Sequence, residues 1–70
     1  MHPVDHFRTK LENLGYSAIE SCMIADGMVS WKVETLAPND EWAVTFGPTQ
    51  LDAWLRAFQY ASCQSRGRAA

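Results

Sequence analysis

Residues 45–58 read TFGPTQLDAWLRAF, which predicts the end of a strand, a sharp turn and an amphipathic helix. Apolar side chains in this stretch recur at i, i+3, i+4 and i+7, the spacing that places them on one helical face. They are Leu51, Trp54, Leu55 and Phe58. We expect this face to be the largest apolar surface of the chain and the one onto which the rest folds. Thr49, with Asp52 three residues later, resembles a capping box, so the helix should begin at Thr49. It should end near Cys63.

The first part of the chain predicts another helix. Pro3 and Asp5 are typical of a helix start, and Gly15 is typical of a helix end. The apolar residues between them share one face: Val4, Phe7, Leu11 and Leu14. Tyr16 then follows the glycine and should fold back onto the last turn.

The middle of the chain alternates with the period of two that is typical of strands. A weakly patterned strand begins at Ser17, and Asp26-Gly27 predicts a tight hairpin turn. Val29 to Thr35 is the clearest strand, and residues 41–46 form the next one after a turn over residues 37–40. The predicted fold is therefore α+β with the order αβββα: a three-stranded antiparallel sheet with two helices packed on one face. We expect its large aromatic residues to lie in phase with the core: Trp31, Trp42, Phe46, Trp54 and Phe58.

The length and composition indicate one small folded domain. Seventy residues bury only roughly 60% of the unfolded chain's surface, so association would add stability. We predict a single domain over residues 1–63 and a flexible C-terminal tail over 64–70. The chain has two cysteines, no apolar run of the ~20 residues that a membrane span needs and no signal-peptide pattern at its N-terminus. These features predict a cytoplasmic protein, without a membrane partner.

The sequence contains no recognisable catalytic, metal or cofactor motif. His2 and His6 lie four residues apart, but a metal site needs three or four ligands, and only a chance convergence with Cys22 and Cys63 would complete one. Cys63 with His6, or Ser62 with a carboxylate, lacks the oriented third group that activates a nucleophile. A domain of this size also has little room for a ligand pocket. We therefore expect no enzymatic activity, no cofactor and no metal.

The charge distribution divides the chain. The formal net charge is −2, which disfavours a nucleic-acid-binding role. Residues 17–47 carry a net charge of −4, because Lys32 is the only basic residue among five acidic ones. The remaining residues are mildly basic. Ordinary solubilising charge explains this layout, but so does an acidic, open sheet face that docks on a basic protein surface.

The order αβββα is also that of the double-stranded RNA-binding domain. That family carries a lysine-rich start to its last helix, where phosphates dock. Here residues 48–52 read PTQLD, which has the wrong charge for phosphate. Nucleic acid is therefore the least favoured partner, and such binding would have to use basic residues along the helices and tail: Arg8, Lys10, Arg56, Arg66 and Arg68.

Residues 25–58 resemble small phage-encoded inhibitor proteins, in particular anti-CRISPR proteins of type I systems. One of their folds pairs a short antiparallel sheet with a following helix, and its sequence at that junction is similar to residues 46–54, FGPTQLDAW. The stretches Ala25-Asp26-Gly27 and Lys32-Val33-Glu34 fall in comparable places upstream. The resemblance implies a stoichiometric, non-enzymatic inhibitor of a CRISPR effector complex in the cytoplasm of a bacterial host.

These observations predict an inhibitor that docks its acidic sheet face on a basic, nucleic-acid-binding surface of an effector subunit. Glu34, Asp40 and Glu41 would supply the acidic contact, with Trp31 or Tyr60 as the aromatic anchor. Trp42 is a further candidate for a partly exposed anchor. The alternative is a small structural or adaptor protein that forms a homodimer through its open sheet face or an edge strand.

Overall fold

The computed structural model describes the backbone of residues 3–68 and the side chains of residues 3–64. Its elements are helix α1 (Pro3–Asn13), strands β1 (Ser17–Ala25), β2 (Met28–Leu36) and β3 (Trp42–Gly47), and helix α2 (Gln50–Arg68). The strands form one antiparallel sheet in the order β1-β2-β3. Both helices pack on the same face of this sheet, so the predicted αβββα fold is confirmed.

Local signals set the element boundaries. At the end of α1, the amides of Gly15 and Tyr16 donate to the carbonyls of Glu12 and Leu11, both at 2.9 Å, which is a Schellman motif. The φ of Gly15 is +85°, and Tyr16 is buried against the core as predicted. Asp26 and Gly27 both have positive φ, as a tight hairpin turn requires.

Helix α2 begins where the sequence predicts but ends later. The Thr49 hydroxyl accepts a hydrogen bond from the Asp52 amide at 3.1 Å, which makes Thr49 the N-cap. The helix continues to Arg68, so the end predicted near Cys63 is too early. The flexibility predicted for the tail, residues 64–70, stays a prediction; residues 69 and 70 lie outside the described part of the chain.

The core lies between the helices and the covered face of the sheet. Helix α2 contributes a stripe of small residues around one large one: Ala53, Trp54, Ala57 and Ala61. The prediction that Leu51 and Leu55 belong to the buried face is wrong, because they are 42% and 36% exposed. The alanine stripe explains this rotation of the helix, since small side chains let α2 lie close to the sheet.

Helix α2 lies very close to the sheet at Gly47. A Cβ atom at this position would lie 2.6 Å from the backbone nitrogen of Ala53. Nearby, the Thr45 hydroxyl donates to the Ala53 carbonyl at 3.1 Å. Strand β3 therefore turns its smallest residues toward the helix, and this choice decides which of its side chains remain outside.

Candidate functional site

The sheet leaves one face without cover, here called the open face. Val33 and Thr35 of β2 are 1% and 2% exposed and point toward the helices. Because strand residues alternate between faces, Lys32 and Glu34 point the other way. The register then assigns the remaining large side chains of the open face. They are Ile19 and Met23 of β1, Met28 and Leu36 of β2, and Trp42, Val44 and Phe46 of β3.

Much of the open face is apolar and accessible. Five of its side chains, here called the apolar patch, are between 40% and 61% exposed: Ile19, Met23, Trp42, Val44 and Phe46. Together they expose on the order of 500 Å², at the upper end of what monomeric soluble proteins leave in one patch. Apolar patches of this size are often functional on monomeric proteins, so the open face is the candidate site of this chain.

A single ion pair interrupts the apolar patch. Lys32 Nζ and Glu34 Oε1 lie 3.1 Å apart on the central strand. Glu34 is flanked in register by Ile19 and Val44, and Lys32 is flanked on the β3 side by Phe46. Among the described side chains, Lys32 and Glu34 are the only charged ones on this face.

The structure therefore corrects the expected acidic character of the open face. Glu20 points to the covered side, where its Oε2 accepts hydrogen bonds from Gln50 Nε2 at 2.8 Å and Trp54 Nε1 at 3.3 Å. Its Oε1 lies 3.5 Å from Arg8 Nη2. Asp26 lies in the hairpin turn. Glu34 is the one acidic residue on the open face within the described residues, and Lys32 balances its charge.

The predicted acidic contact is partly brought together. Asp40 is exposed at φ +66° in the connection between β2 and β3. Glu41 is exposed beside it, and its amide donates to Asn39 Oδ1 at 3.3 Å. Both residues immediately precede Trp42. They therefore lie at the Trp42 end of the open face, at its rim, while Glu34 lies within the face.

The two predicted aromatic anchors do not join this group. Trp31 is half-buried on the covered face and packs against the core. Tyr60 is 42% exposed but belongs to α2, in the helical layer.

Trp42 and Phe46 were both expected in phase with the core, and this is wrong for Phe46, which is 48% exposed. Trp42, which was also considered as a partly exposed residue, is 60% exposed. The sequence did contain a signal for the observed orientation of β3. The alternate residues of this strand, Ala43, Thr45 and Gly47, are small, as are the alanines of α2 that face them.

The β1–β2 hairpin extends beyond β3. Strand β3 pairs only with residues 31–36, so residues 28–30 of β2 have their strand partners on the β1 side alone. Two apolar residues of this extension are the most exposed of the chain's described large hydrophobics: Ile24 at 74% and Met28 at 73%. The space beside residues 28–30, where β3 has ended, is here called the notch.

The described residues form no arrangement with evident catalytic or metal-binding chemistry. A cleft of about 350 Å³ lies beside α1 and the start of β1, and Arg8, Glu12, Tyr16 and Ser17 contribute to its lining. The Tyr16 hydroxyl is buried without a hydrogen-bond partner among the described residues, but the cleft lining contains no histidine or cysteine. Cys22 and Cys63 are exposed free thiols.

No group of three or more His, Cys, Asp or Glu in the described part of the chain could hold a metal ion. Of the two histidines considered as ligands, His6 makes an edge contact with the Phe7 ring at 5.5 Å. His2 lies outside the described residues.

Comparisons with protein-family models, curated proteins and solved structures give no match to this chain. Between residues 3 and 68, no helix combines the length and the apolar character needed to cross a membrane.

Proposed function

We propose that this chain is a protein-binding domain that acts without catalysis through the open face of its sheet. The observation that carries the proposal is the apolar patch around a single ion pair, on a face that neither helix covers. Such a surface has the composition of an interface core, with aromatic and aliphatic side chains and few charges. Trp42 supports it most, since exposed tryptophans are frequent anchors of protein interfaces.

The contacts of the basic residues favour a protein partner over a nucleic acid. Arg8 lies 5.0 Å above the Trp54 ring and pairs with Glu20. Lys10 lies 5.4 Å from the Phe58 ring, and Arg56 donates to the Phe46 carbonyl at 2.6 Å. Each of these three exposed cations therefore has a partner within the fold, whereas phosphate binding requires a free basic stripe. The side chains of Arg66 and Arg68 lie outside the described residues.

The partner class that we propose follows from the resemblance of residues 25–58 to anti-CRISPR proteins. The domain would act in the cytoplasm of a bacterial host as a stoichiometric inhibitor of a type I CRISPR effector complex. Its contact would combine the apolar patch with the acidic residues Glu34, Asp40 and Glu41, which suit the basic rim of a nucleic-acid-binding surface. Trp42 takes the anchoring role in place of Trp31 or Tyr60.

Binding of the purified chain to a purified type I effector complex tests this proposal. We expect saturable binding that Trp42→Ser weakens at least about tenfold, since interface tryptophans often carry more than 2 kcal/mol. The triple variant E34K/D40K/E41K should also weaken binding, mainly through a slower association rate. The control is E12K, which reverses an exposed acidic residue of α1 on the covered side.

Different results test the proposed partner class and the proposed binding surface separately. Absence of binding to the effector complex would overturn the proposed target class. Binding that Trp42→Ser and the triple variant leave unchanged, with circular dichroism showing folded variants, would overturn the assignment of the open face. Equal weakening by E12K would show that net charge, rather than the site, controls the affinity.

A further inference from the structure

We infer that the open face binds a second copy of this chain, face to face, with a two-fold axis running across the strands at the level of Val33. This inference rests on the proposed function in one respect, the use of the open face for protein binding. It names an occupant for that face and the geometry of its docking. A target protein and a second copy would then compete for the same surface.

The available area suits a dimer. The apolar patch exposes on the order of 500 Å², and a stable interface of standard size needs about 800 Å² per partner. The ion pair, Leu36 and three serines lie among the patch residues in the register and would add to this area. The serines are Ser17, Ser21 and Ser30. A 70-residue domain also gains from this cover, because a chain this short buries little apolar surface by itself.

The ion pair on β2 selects the symmetry. A two-fold axis that brings two sheets face to face lies in the plane between them. With the axis parallel to β2, Lys32 would oppose Lys32 and Glu34 would oppose Glu34. With the axis across the strands at Val33, each Lys32 opposes Glu34 of the other copy. The second arrangement doubles the number of opposite-charge neighbours, whereas the first sets like charges against each other at substantial cost.

The apolar side chains fit the same axis. This axis lays β3 of one copy over β3 of the other, with Phe46, in register with Lys32, opposite Val44, in register with Glu34. A large side chain then faces a smaller one at both positions, which favours interdigitation across the roughly 10 Å between packed sheets.

The notch is filled as well. Trp42 is in register with Leu36, so the axis carries it to the level of Ser30 in the other copy. At that level β3 has already ended, because it pairs only with residues 31–36. Each Trp42 therefore meets the notch beside the extended hairpin of its partner. The unequal lengths of β2 and β3 thus provide space for the most exposed aromatic ring of the sheet.

Sedimentation of this chain over about 1–200 µM tests the inference. In this range, a dimer of micromolar affinity changes its average mass with concentration. We expect the wild type to reach twice the monomer mass. Either single reversal, E34K or K32E, should raise the dimer dissociation constant at least about tenfold through like-charge contacts. The double variant K32E/E34K restores opposite charges across the axis and should return the constant to within about threefold of wild type.

Two control variants distinguish an effect on the dimer interface from an effect on folding or on net charge. E12K carries the same charge change as E34K on the covered side and should leave the dimer unchanged. Phe46→Ser should abolish the dimer while circular dichroism shows a folded chain.

A wild-type chain that stays monomeric over the whole range overturns the inference, as does an E34K variant that dimerises as tightly as wild type. The proposed function fails on a different measurement, the loss of sensitivity to Trp42→Ser in effector binding.

Discussion

The two faces of the sheet have similar apolar content, but the helices cover only one of them. Strand β3 shows this difference most clearly. Its small residues, Ala43, Thr45 and Gly47, face the helices, while its large ones, Trp42, Val44 and Phe46, face outward. The covered face gains its stability from close approach, since α2 presents alanines and leaves no room for a Cβ at Gly47. The size of the facing residues, rather than their hydrophobicity, decides which side of β3 the helix covers.

The polar contacts differ between the faces in the same way. On the covered face, Glu20 joins β1 to both helices through Arg8, Gln50 and Trp54. On the open face, Lys32 and Glu34 contact each other on one strand and tie no second element to the sheet. Covered polar groups thus join the layers of the fold, whereas the open pair joins no two elements.

The largest difference between the two sides of the sheet should appear when one tryptophan is removed from each side. Trp54 is fully buried, so Trp54→Ala should destabilise the domain by about 3–5 kcal/mol, which is comparable to the whole stability of a small domain. Trp42→Ala removes a ring that is 60% exposed and should cost far less. Urea unfolding followed by circular dichroism in dilute solution measures both. A similar loss for the two variants would contradict the assignment of faces.

The sequence predicted the element order because the signals involved are local. The glycine after α1, the Asp26-Gly27 turn and the Thr49 cap each act through the backbone of neighbouring residues, and all three form as expected. The periodicity of apolar residues then indicated which residues share a face of each helix or strand. These signals sufficed for the αβββα fold and for the single-sided cover of the sheet.

The candidate site was harder to predict because periodicity does not tell which face is covered. In β3 the aromatic residues formed a convincing core stripe, and only the matching small residues on α2 and β3 indicated the opposite choice. The same ambiguity misplaced Leu51 and Leu55. Trp31 was offered as an anchor although its strand phase, shared with Val33, places it on the covered face. Charge sums could not show that Glu20 and Glu34 lie on opposite sides.

Gly47→Ala tests the close approach on the covered face. The added methyl would lie 2.6 Å from the Ala53 nitrogen and 2.9 Å from the Asp52 Cβ, so α2 or β3 must shift. We expect a loss of roughly 1–3 kcal/mol in the free energy of unfolding, typical of overpacking. Gly27→Asn is the control, because no atom lies within 4 Å of its Cβ position and asparagine tolerates positive φ. If Gly47→Ala is as stable as wild type, α2 does not lie this close.

Glu20→Ala and Glu34→Ala compare the same polar change on the two faces. Loss of the Glu20 carboxylate leaves the Trp54 Nε1–H without its acceptor in a part-buried site, at a cost of about 1–3 kcal/mol. Glu34→Ala removes a surface ion pair and should cost between about 0 and 1 kcal/mol. Thermal unfolding of the two variants side by side measures the difference. Equal destabilisation would mean that Glu20 does not join the layers as the geometry indicates.

Phe46→Ser should have only a small effect on the monomer and is therefore a sharp test of the open face. The ring is 48% exposed, so its removal gives up only the packing of its buried part on neighbouring side chains. We expect a change within about 1 kcal/mol for the monomer, measured at a concentration where no dimer forms. At high concentration the wild type should gain stability by mass action and the variant should not. A variant that is strongly destabilised even in dilute solution would mean that Phe46 supports the fold, and that the open face is not free to bind.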